Sequence, residues 1–143
     1  MNARLFLPAT VAAVVAAVIV GLLIVGGPFE GRREAFDGKR YDELGLLARA
    51  LLCADKGHRY GATLPEELTV ETLRVHCSTA GITEDELTDD ETGLPYVYQV
   101  KDGQDFSVCA TFYDAERTLR LNQQAWYGAT FNAETGCASG VFR

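Results

Sequence analysis

Six carboxylates lie within eight residues near the middle of the chain, the densest group of side chains with chemical capability. They are Glu84, Asp85, Glu86, Asp89, Asp90 and Glu91. Hard cations such as calcium bind several oxygens held close together, so a metal loop is one interpretation of this run. The spacing lacks the D-x-D-x-D-G pattern of a calcium loop, and runs of like charge are usually solvated. We therefore predict a solvated acidic loop without a metal site.

Other groups that could support catalysis are sparse. The two histidines are His58 and His76, and His76 adjoins Cys77. Adjacency in sequence does not make a nucleophile–base pair, and a cysteine held in a disulfide is not a nucleophile. The sequence contains no G-x-S-x-G, H-E-x-x-H or P-loop motif. We therefore predict that the protein is not an enzyme, uses no cofactor and has no catalytic residues.

The cysteines are four, and no two are closer than 24 positions; they are Cys53, Cys77, Cys109 and Cys137. Zinc sites usually contain close pairs of ligands, whereas an even set of distant cysteines is typical of disulfides in an oxidising compartment. Four cysteines allow three pairings. Packing of two apolar helix faces would bring Cys53 to Cys77, and a returning C-terminal segment would cover Cys109. We predict the pairs Cys53–Cys77 and Cys109–Cys137.

The N-terminal region is apolar without interruption. From Leu5 to Gly27 no residue is charged, and 13 residues are Leu, Ile, Val or Phe. As a helix this run is roughly 33 Å long, enough to cross a bilayer, and its residues favour insertion by roughly 4–8 kcal/mol. We predict a transmembrane helix over residues 5–27 in contact with the lipid bilayer, preceded by a cytoplasmic tail, residues 1–4. An uncleaved signal anchor is favoured over a signal peptide, because the run exceeds about 15 residues and no A-x-A-like site follows.

Two features of the sequence disagree about the orientation of this helix. Arg4 precedes it, whereas Arg32, Arg33, Lys39 and Arg40 follow it, so the positive-inside rule favours a cytoplasmic C-terminal domain. The cysteine pattern favours an oxidising compartment instead. We give more weight to the cysteines and predict a single-pass protein of the bacterial inner membrane with a periplasmic C-terminal domain.

The charge distribution excludes one class of partner. Of the 13 Lys and Arg residues only Arg4 precedes the apolar run, whereas all 20 Asp and Glu residues follow it. The remainder of the chain is therefore more acidic than the net charge of −7 indicates. An acidic domain without a basic stripe repels phosphate backbones, so we predict no nucleic-acid partner.

Beyond the apolar run we expect a juxtamembrane segment, residues 28–40, and one α+β domain, residues 41–143. Apolar residues recur at three- and four-residue steps from about Arg32 to Gly57, which predicts an amphipathic helix whose Leu stripe faces the core. The segment "TVETLRVHC" predicts a second, short helix. The segment "TEDE" predicts a capping box in which Thr83 accepts the Glu86 N–H and the Glu86 carboxylate reaches back.

The following segment predicts a hairpin. "TGLP" is a turn, "YVYQV" and "FSVCATFY" alternate as strands, and a loop Lys101-Asp102-Gly103 with a left-handed Gly103 places Tyr98 and Val100 on the same face as Phe106 and Val108. "LRLNQQAWYGATF" predicts one or two further strands of a small antiparallel sheet. Trp126 and Tyr127 could anchor an interface, but in a small core they are more often packing residues, which we favour.

A membrane helix, an amphipathic helix and a small acidic antiparallel sheet form the plan of pseudopilins. The segment "DDETGLPYVYQV", followed by "FSVCATF", resembles the Asp-Pro-x-Thr-Gly-x-Pro-Tyr-x-Tyr hairpin of pseudopilin-like bacterial ectodomains. The resemblance covers about Arg32 to Tyr113, and it looks most like an uncharacterised family of membrane-anchored envelope proteins with a cysteine in the second hairpin strand. Asp90 replaces the family's proline, and the Gly and Phe-Thr-Leu-x-Glu of a prepilin leader do not occur. The resemblance therefore implies a pseudopilin-like fold without implying pilus assembly.

Two classes of function are consistent with these observations. The first is a non-enzymatic structural or accessory subunit of a larger membrane or envelope assembly, with a membrane-protein complex as partner. The alternative is a periplasmic binding module for a small ligand or cation. We favour the first because no set of polar residues converges on a ligand site.

Overall fold

The computed structural model describes residues 3–25, 27–53, 63–122, 126 and 128–142. Within these residues the chain is α+β, as the sequence predicts. The elements are helices α1 (Ala3–Val25), α2 (Pro28–Leu52), α3 (Val70–His76) and α4 (Ala115–Leu121), a 3₁₀ turn at Asp85–Leu87, and strands β1 (Val97–Lys101), β2 (Asp105–Cys109), β3 (Ala129–Asn132) and β4 (Cys137–Val141). The chain divides into two compact units, residues 1–33 and 34–143.

Helix α1 belongs to the first unit. Within the described part of the chain, one helical region near the N-terminus is long and apolar enough to cross a membrane, judged by length and composition, and it contains most of α1. Its large aliphatic side chains from Val11 to Ile24 are 51% to 79% exposed. These side chains follow one another around the whole helix, so no single face accounts for its apolar character.

The second unit is built around one face of α2. Leu44, Leu47 and Leu51 are fully buried. They share one core with Phe106 and Val108 of β2, among other residues. This face is the Leu stripe that the sequence predicts, at the spacing of a core-facing helix. This compact unit begins at residue 34, so it includes residues 34–40 of the predicted juxtamembrane segment.

The four strands form one antiparallel sheet in the order β1-β2-β4-β3. Tyr98 is paired with Val108 and Val100 with Phe106, which confirms the predicted parity of the hairpin. Gly103 has the predicted positive φ, 70°. Because Lys101 pairs with Asp105, the loop residues are 102–104, one position later than predicted. The core-facing residues of β2 and β4 include Phe106, Val108 and Ala138, which are buried; the opposite face of the sheet is the outer face.

The predicted disulfide pairing is confirmed. Cys53 at the end of α2 is bonded to Cys77, the C-cap residue of α3. Cys109, the last residue of β2, is bonded to Cys137, the first residue of β4. These two residues are directly paired in the register of the sheet, so the second bridge crosses between neighbouring strands.

The segment that precedes β3 differs from its prediction. Residues 115–121 form helix α4. The helix includes the first three residues of the segment "LRLNQQAWYGATF", for which the sequence predicts one or two strands. Asp114 caps the helix, since its side chain accepts a 2.8 Å hydrogen bond from the N–H of Arg117. The predicted strand is β3 at the end of the segment. An Asp cap with Glu116 in the first turn and Arg120 in the last is a helix signal that the alternation of apolar residues concealed.

The predicted capping box at Thr83 is present only in part. The carboxylate of Glu86 accepts a 2.7 Å hydrogen bond from the Thr83 N–H, as predicted. The Thr83 hydroxyl donates to the same carboxylate instead of accepting the Glu86 N–H. The segment forms a single 3₁₀ turn, whose N-cap Glu84 has no side-chain cap hydrogen bond. A complete capping box is present instead at Thr69 and Thr72, where it starts α3.

Two glycines of α2 have opposite surroundings. A Cβ added at Gly45 would lie 2.8 Å from Nε1 of Trp126, whereas one added at Gly38 would meet no atom within 4 Å. The indole cannot withdraw freely, since its ring centroid lies 4.5 Å from that of Tyr41 and 5.5 Å from that of Phe131. Trp126 is therefore a packing residue, as predicted, and Gly45 is the position that lets it approach the helix.

This difference predicts opposite effects of alanine. Gly38→Ala is expected to raise the free energy of unfolding by about 1 kcal/mol through helix propensity. Gly45→Ala gains the same propensity but forces the indole outward, and overpacking of about 1–3 kcal/mol makes a net loss the expected result. Denaturation followed by the emission of the single tryptophan measures both. Equal stabilisation by the two variants would contradict the packing described for Trp126.

Candidate functional site

The guanidinium of Arg40 on α2 donates four hydrogen bonds to three carboxylates. Its side chain is 5% exposed. Nε donates to Oδ2 of Asp89 at 2.6 Å and Nη2 to Oδ1 of the same carboxylate at 3.1 Å. Nη1 donates to Asp37 at 3.1 Å and Nη2 to Glu91 at 2.6 Å. We call Asp37, Arg40, Asp89 and Glu91 the Arg40 cluster.

The two halves of the Arg40 cluster come from different elements. Asp37 and Arg40 lie one turn apart on α2, which places their side chains on the same face of the helix. Asp89 and Glu91 lie in the loop between the paired residues Thr88 and Pro95. Since a bidentate arginine–carboxylate pair has a fixed geometry, the cluster holds this loop against the helix in one orientation.

Asp89 also organises the acidic loop itself. Its Oδ1 accepts hydrogen bonds from the N–H groups of Glu91 at 2.8 Å and Thr92 at 3.3 Å. Its backbone N–H donates to the carbonyl of Leu94 at 2.9 Å, and its carbonyl accepts the N–H of Gly93 at 2.7 Å. Gly93 has a φ of 67°, the left-handed conformation that closes such a turn without a Cβ clash. The carboxylate of Asp89 is therefore the centre of a turn.

Asp37 connects the same cluster to a third segment. Its two carboxylate oxygens accept the backbone N–H groups of Tyr113 at 3.0 Å and Asp114 at 2.8 Å. Tyr113 also donates its hydroxyl to Glu91 at 2.7 Å. Its ring and that of Phe36 lie 5.6 Å and 5.9 Å from Cζ of Arg40, within cation–π distance. The cluster thus joins α2, the acidic loop and the entry to α4.

A second basic residue neutralises the rest of the acidic loop. Lys39 forms an ion pair with Asp90 and lies 3.6 Å from a carboxylate oxygen of Glu43. Glu43 is buried and also accepts the hydroxyl hydrogen of Tyr96. Of the six carboxylates in the acidic run, Glu86, Asp89, Asp90 and Glu91 are therefore held by internal partners.

The electrostatics of the cluster favour its charged state. Burial disfavours ionisation of Asp89, but hydrogen bonds from Arg40 and from two backbone N–H groups outweigh it and lower the pKa of the carboxyl. The pKa of Glu91 is lowered by the hydrogen bond from Tyr113 and by Arg40. Burial opposes the charge on Arg40 too, yet the hydrogen bonds to Asp89 and Glu91 raise the pKa of its guanidinium. Arg40, Asp89 and Glu91 are therefore ionised at neutral pH.

Glu43 behaves in the opposite way. Burial raises the pKa of its carboxyl, although the hydrogen bond from Tyr96 and the charge of Lys39 act against this. Burial, with the carboxylate of Glu43 beside it, raises the pKa of the Tyr96 phenol as well. Neither group faces an unpaired polar atom: within the described part of the chain, every fully buried side-chain N or O atom has a hydrogen-bond partner.

This arrangement bears on the metal interpretation of the acidic run. The oxygens that a cation would bind already accept hydrogen bonds from a guanidinium, an ammonium group and backbone N–H groups. Across the described ranges, no group of three or more His, Cys, Asp or Glu residues is placed to hold a metal ion. The geometry therefore fixes the acidic loop through its hydrogen bonds to Arg40 and Lys39.

The predicted histidine and aromatic residues have structural surroundings. Nε2 of His76 lies 2.9 Å from the carbonyl oxygen of Leu51, and its ring centroid lies 5.1 Å from that of Phe142. His76 therefore joins the ends of α3 and α2 near the first disulfide. His58 and Tyr127 lie outside the described residues.

Two clefts of the second unit are candidates for a ligand. One, of about 180 Å³, lies beside Leu73, Arg74 and Cys77. The other, of about 290 Å³, lies beside Leu94, Val97 and Cys109. Small-molecule sites usually measure about 300–1,000 Å³ and enclose their ligand. Both clefts fall below that range, so neither favours the binding-module alternative.

Comparisons with protein-family models, curated proteins and solved structures gave no match.

The pKa shifts predict how stability changes in acid. Asp89, Glu91 and Glu86 have lowered pKa values in the folded protein, so the unfolded chain takes up protons first as the pH falls. Their stabilisation is complete above the unfolded pKa values of about 4 and is lost below them. Glu43 acts in the opposite direction and at higher pH: because its pKa is raised, the folded state takes up the proton first, and the cost of its burial is relieved as the pH falls towards about 4.

We expect the three lowered groups to dominate, so the free energy of unfolding falls steadily from about pH 4 to pH 2. Denaturant titrations at a series of pH values measure this. Glu43→Gln removes the relief that Glu43 gains above about pH 4, so it is expected to abolish any gain in stability between pH 7 and pH 4 and to leave the fall below pH 4 unchanged. A free energy of unfolding that rises below about pH 4 would mean that repulsion among the acidic side chains outweighs their pairing, contrary to the geometry.

Proposed function

We propose that this protein is a single-pass protein of the bacterial inner membrane whose periplasmic α+β domain is a non-enzymatic structural or accessory subunit of a larger membrane or envelope assembly. The observation that carries the proposal is the exposed apolar surface of α1. Its aliphatic side chains from Val11 to Ile24 are more than half exposed. A helix that is apolar all round needs a covering of lipid or protein, and its length fits a bilayer.

The two disulfides support the periplasmic placement of the domain. All four cysteines are paired. Disulfides persist in oxidising compartments and are rare in the cytosol. Arg32 and Arg33 after α1 remain evidence for the opposite orientation under the positive-inside rule. We give the disulfides more weight, because they join four positions of one folded unit.

The use of the charged groups supports a non-enzymatic role. Active sites contain titratable groups that are shifted but left accessible to substrate. In the Arg40 cluster, Asp37 and Arg40 are at most 4% exposed, and their hydrogen bonds end on other protein groups. The cluster therefore stabilises the loop and leaves its surface, with Leu94 and Val97 exposed, to contact a partner.

The order of the elements supports a further part of the proposal, which is that the protein has a pseudopilin-like architecture. An apolar helix precedes a long helix, and one face of the long helix covers a small antiparallel sheet. The acidic hairpin that carries the resemblance forms the loop and strands β1 and β2. On this basis we propose a membrane-anchored envelope subunit, and we do not propose that the protein assembles into a fibre.

Co-purification tests the assembly role. The full-length protein, tagged at the C-terminus, is solubilised from native membranes in a mild detergent and captured. A partner recovered at fixed stoichiometry supports the proposal. A matched protein with Leu94→Arg and Val97→Glu keeps the membrane helix but changes the exposed apolar surface, so partner loss in that variant locates the contact. Recovery of a monomer alone, under conditions that preserve other membrane complexes, would contradict the proposal.

A further inference from the structure

The bridge between Cys109 and Cys137 lies on the outer face of the sheet, away from the core that α2 covers. Val97, Cys109, Cys137 and Asn132 form one row across the four strands. Cys109 and Cys137 are only partly buried. In the other bridge Cys53 is also partly buried, but Cys77 is 2% exposed. The strand-to-strand bridge is therefore the one in which both cysteines are partly exposed to an external reagent.

A cleft of about 290 Å³ lies beside this bridge. It is bounded by Leu94 and Val97 on one side and by Thr111 and Thr135 on the other. Leu94 is 65% exposed and Val97 is 57% exposed. The cleft is too small to enclose a drug-sized ligand, but it leaves room for a thiol side chain beside Cys109, and its exposed apolar walls could contact the reagent that carries the thiol.

The backbone holds β2 and β4 together on both sides of the bridge. Beyond it, the N–H of Ala110 donates to the carbonyl of Gly136 at 3.0 Å. Before it, Val108 is paired with Ala138, and the ladder continues to the far end of β4. Opening the sulfur–sulfur bond therefore leaves both cysteines in register, ready to be reoxidised.

We propose that Cys109–Cys137 is a thiol–disulfide exchange site that accepts electrons from an external thiol, either glutathione or a protein dithiol. The incoming thiolate attacks Sγ of Cys109, the sulfur–sulfur bond breaks, and Cys137 leaves as a thiolate that takes a proton from solvent. A second donor thiolate then attacks the donor sulfur of the mixed disulfide and releases Cys109, which is also protonated. The donor becomes a disulfide, and this chain gains two electrons and two protons.

The choice of sulfur follows from its surroundings. The carbonyl oxygen of Thr135 lies 3.4 Å from Sγ of Cys137. The cleft borders Cys109 but not Cys137. A thiolate attacks in line with the bond that breaks, from the side opposite to the leaving sulfur, so a reagent in the cleft attacks Cys109 and Cys137 is the leaving group. Once protonated, the Cys137 thiol can donate to the Thr135 carbonyl. The site does not depend on the proposed membrane anchor, so the two proposals can fail separately.

The test uses the full-length protein in detergent micelles. Reduced glutathione or reduced thioredoxin is added, samples are quenched in acid over time, and free thiols are alkylated and located by peptide mass spectrometry. Cys109 and Cys137 are expected to be labelled at least ten times faster than Cys53 and Cys77, with unchanged emission of Trp126 and a glutathione adduct on Cys109. The faster of the two donors identifies the source of the thiol.

Two variants on β1 test the role of the cleft. Val97→Glu places a negative charge in the row of the bridge and is expected to slow exchange several-fold by repelling the thiolate. Lys101→Glu places a negative charge at the other end of the strand and is expected to slow it much less. Reduction of Cys53–Cys77 first, reduction of all four cysteines only as Trp126 emission changes, or equal slowing by the two variants would overturn the proposal.

Discussion

Arg40→Met is expected to lower the free energy of unfolding by about 3–5 kcal/mol, a large part of the roughly 5–15 kcal/mol that stabilises a typical domain. The side chain is 5% exposed, and its hydrogen bonds extend to Asp37, Asp89 and Glu91. Methionine fills similar space but leaves the carboxylates together without a cation. The penalty arises from these uncompensated charges more than from the loss of the pair itself.

Arg117→Met provides the matched control. Arg117 also pairs with a carboxylate, that of Glu34 at 2.9 Å, but the two side chains are 51% and 43% exposed. An exposed pair of this kind contributes below about 1 kcal/mol. Denaturant titration of both variants, followed by Trp126 emission, measures the difference. If both variants lose the same amount, the Arg40 cluster does not hold the acidic loop as described.

Removing the first disulfide is expected to have the next largest effect. Cys53→Ala with Cys77→Ala opens a loop of 24 positions, and the chain-entropy model gives a loss of about 3–4 kcal/mol. The bridge joins the end of α2 to the end of α3, where Cys77 is 2% exposed beside the buried Leu73. Alanine leaves no unpaired hydroxyl in that site, so the loss reflects the bond and a small cavity.

Amide hydrogen exchange separates this effect from a general loss of stability. Without the bridge, the amides of α3 are expected to exchange faster than those of β2 and β4, because α3 has only seven residues and cannot persist alone. The matched variant, Cys109→Ala with Cys137→Ala, is expected to lose a comparable free energy but to retain the protection of α3. Equal protection of α3 in both variants would contradict the role given to Cys53–Cys77.

The features that could be predicted from the sequence depend on local patterns. Helix α3 follows from the spacing of Val70, Leu73 and Cys77, and the hairpin parity follows from the alternation of β1 and β2. The disulfide pairing follows from which helix faces and strands must meet. In each case the residues that decide the structure lie within one element or in two neighbouring ones.

The Arg40 cluster could not be predicted in this way, because its partners are distant. Arg40 and Asp89 are 49 positions apart, and Asp37 and Asp114 are 77 positions apart. A signal was nevertheless present: Arg40 falls on the same stripe of α2 as Phe36 and Leu44, and an arginine within an apolar stripe needs a buried carboxylate. The acidic run offered those carboxylates, so the interpretation of a fully solvated loop was too simple.

Helix α4 shows the opposite limitation. The apolar residues Leu119 and Leu121 alternate as in a strand, and they are exposed. The alternation of Leu119 and Leu121 therefore does not indicate the buried face of a strand. The cap at Asp114 and the single buried residue of α4, Thr118, decide the structure instead.

We propose that an acidic, disulfide-bonded domain is held outside the cytoplasm by a helix that crosses the bilayer. Fusion of alkaline phosphatase to the C-terminus tests it most directly, with a fluorescent protein that folds only in the cytoplasm as the paired fusion. We predict an active phosphatase in the membrane fraction and a dark fluorescent fusion. A fluorescent fusion with an inactive phosphatase would contradict the account, because it would place all four cysteines in the cytoplasm.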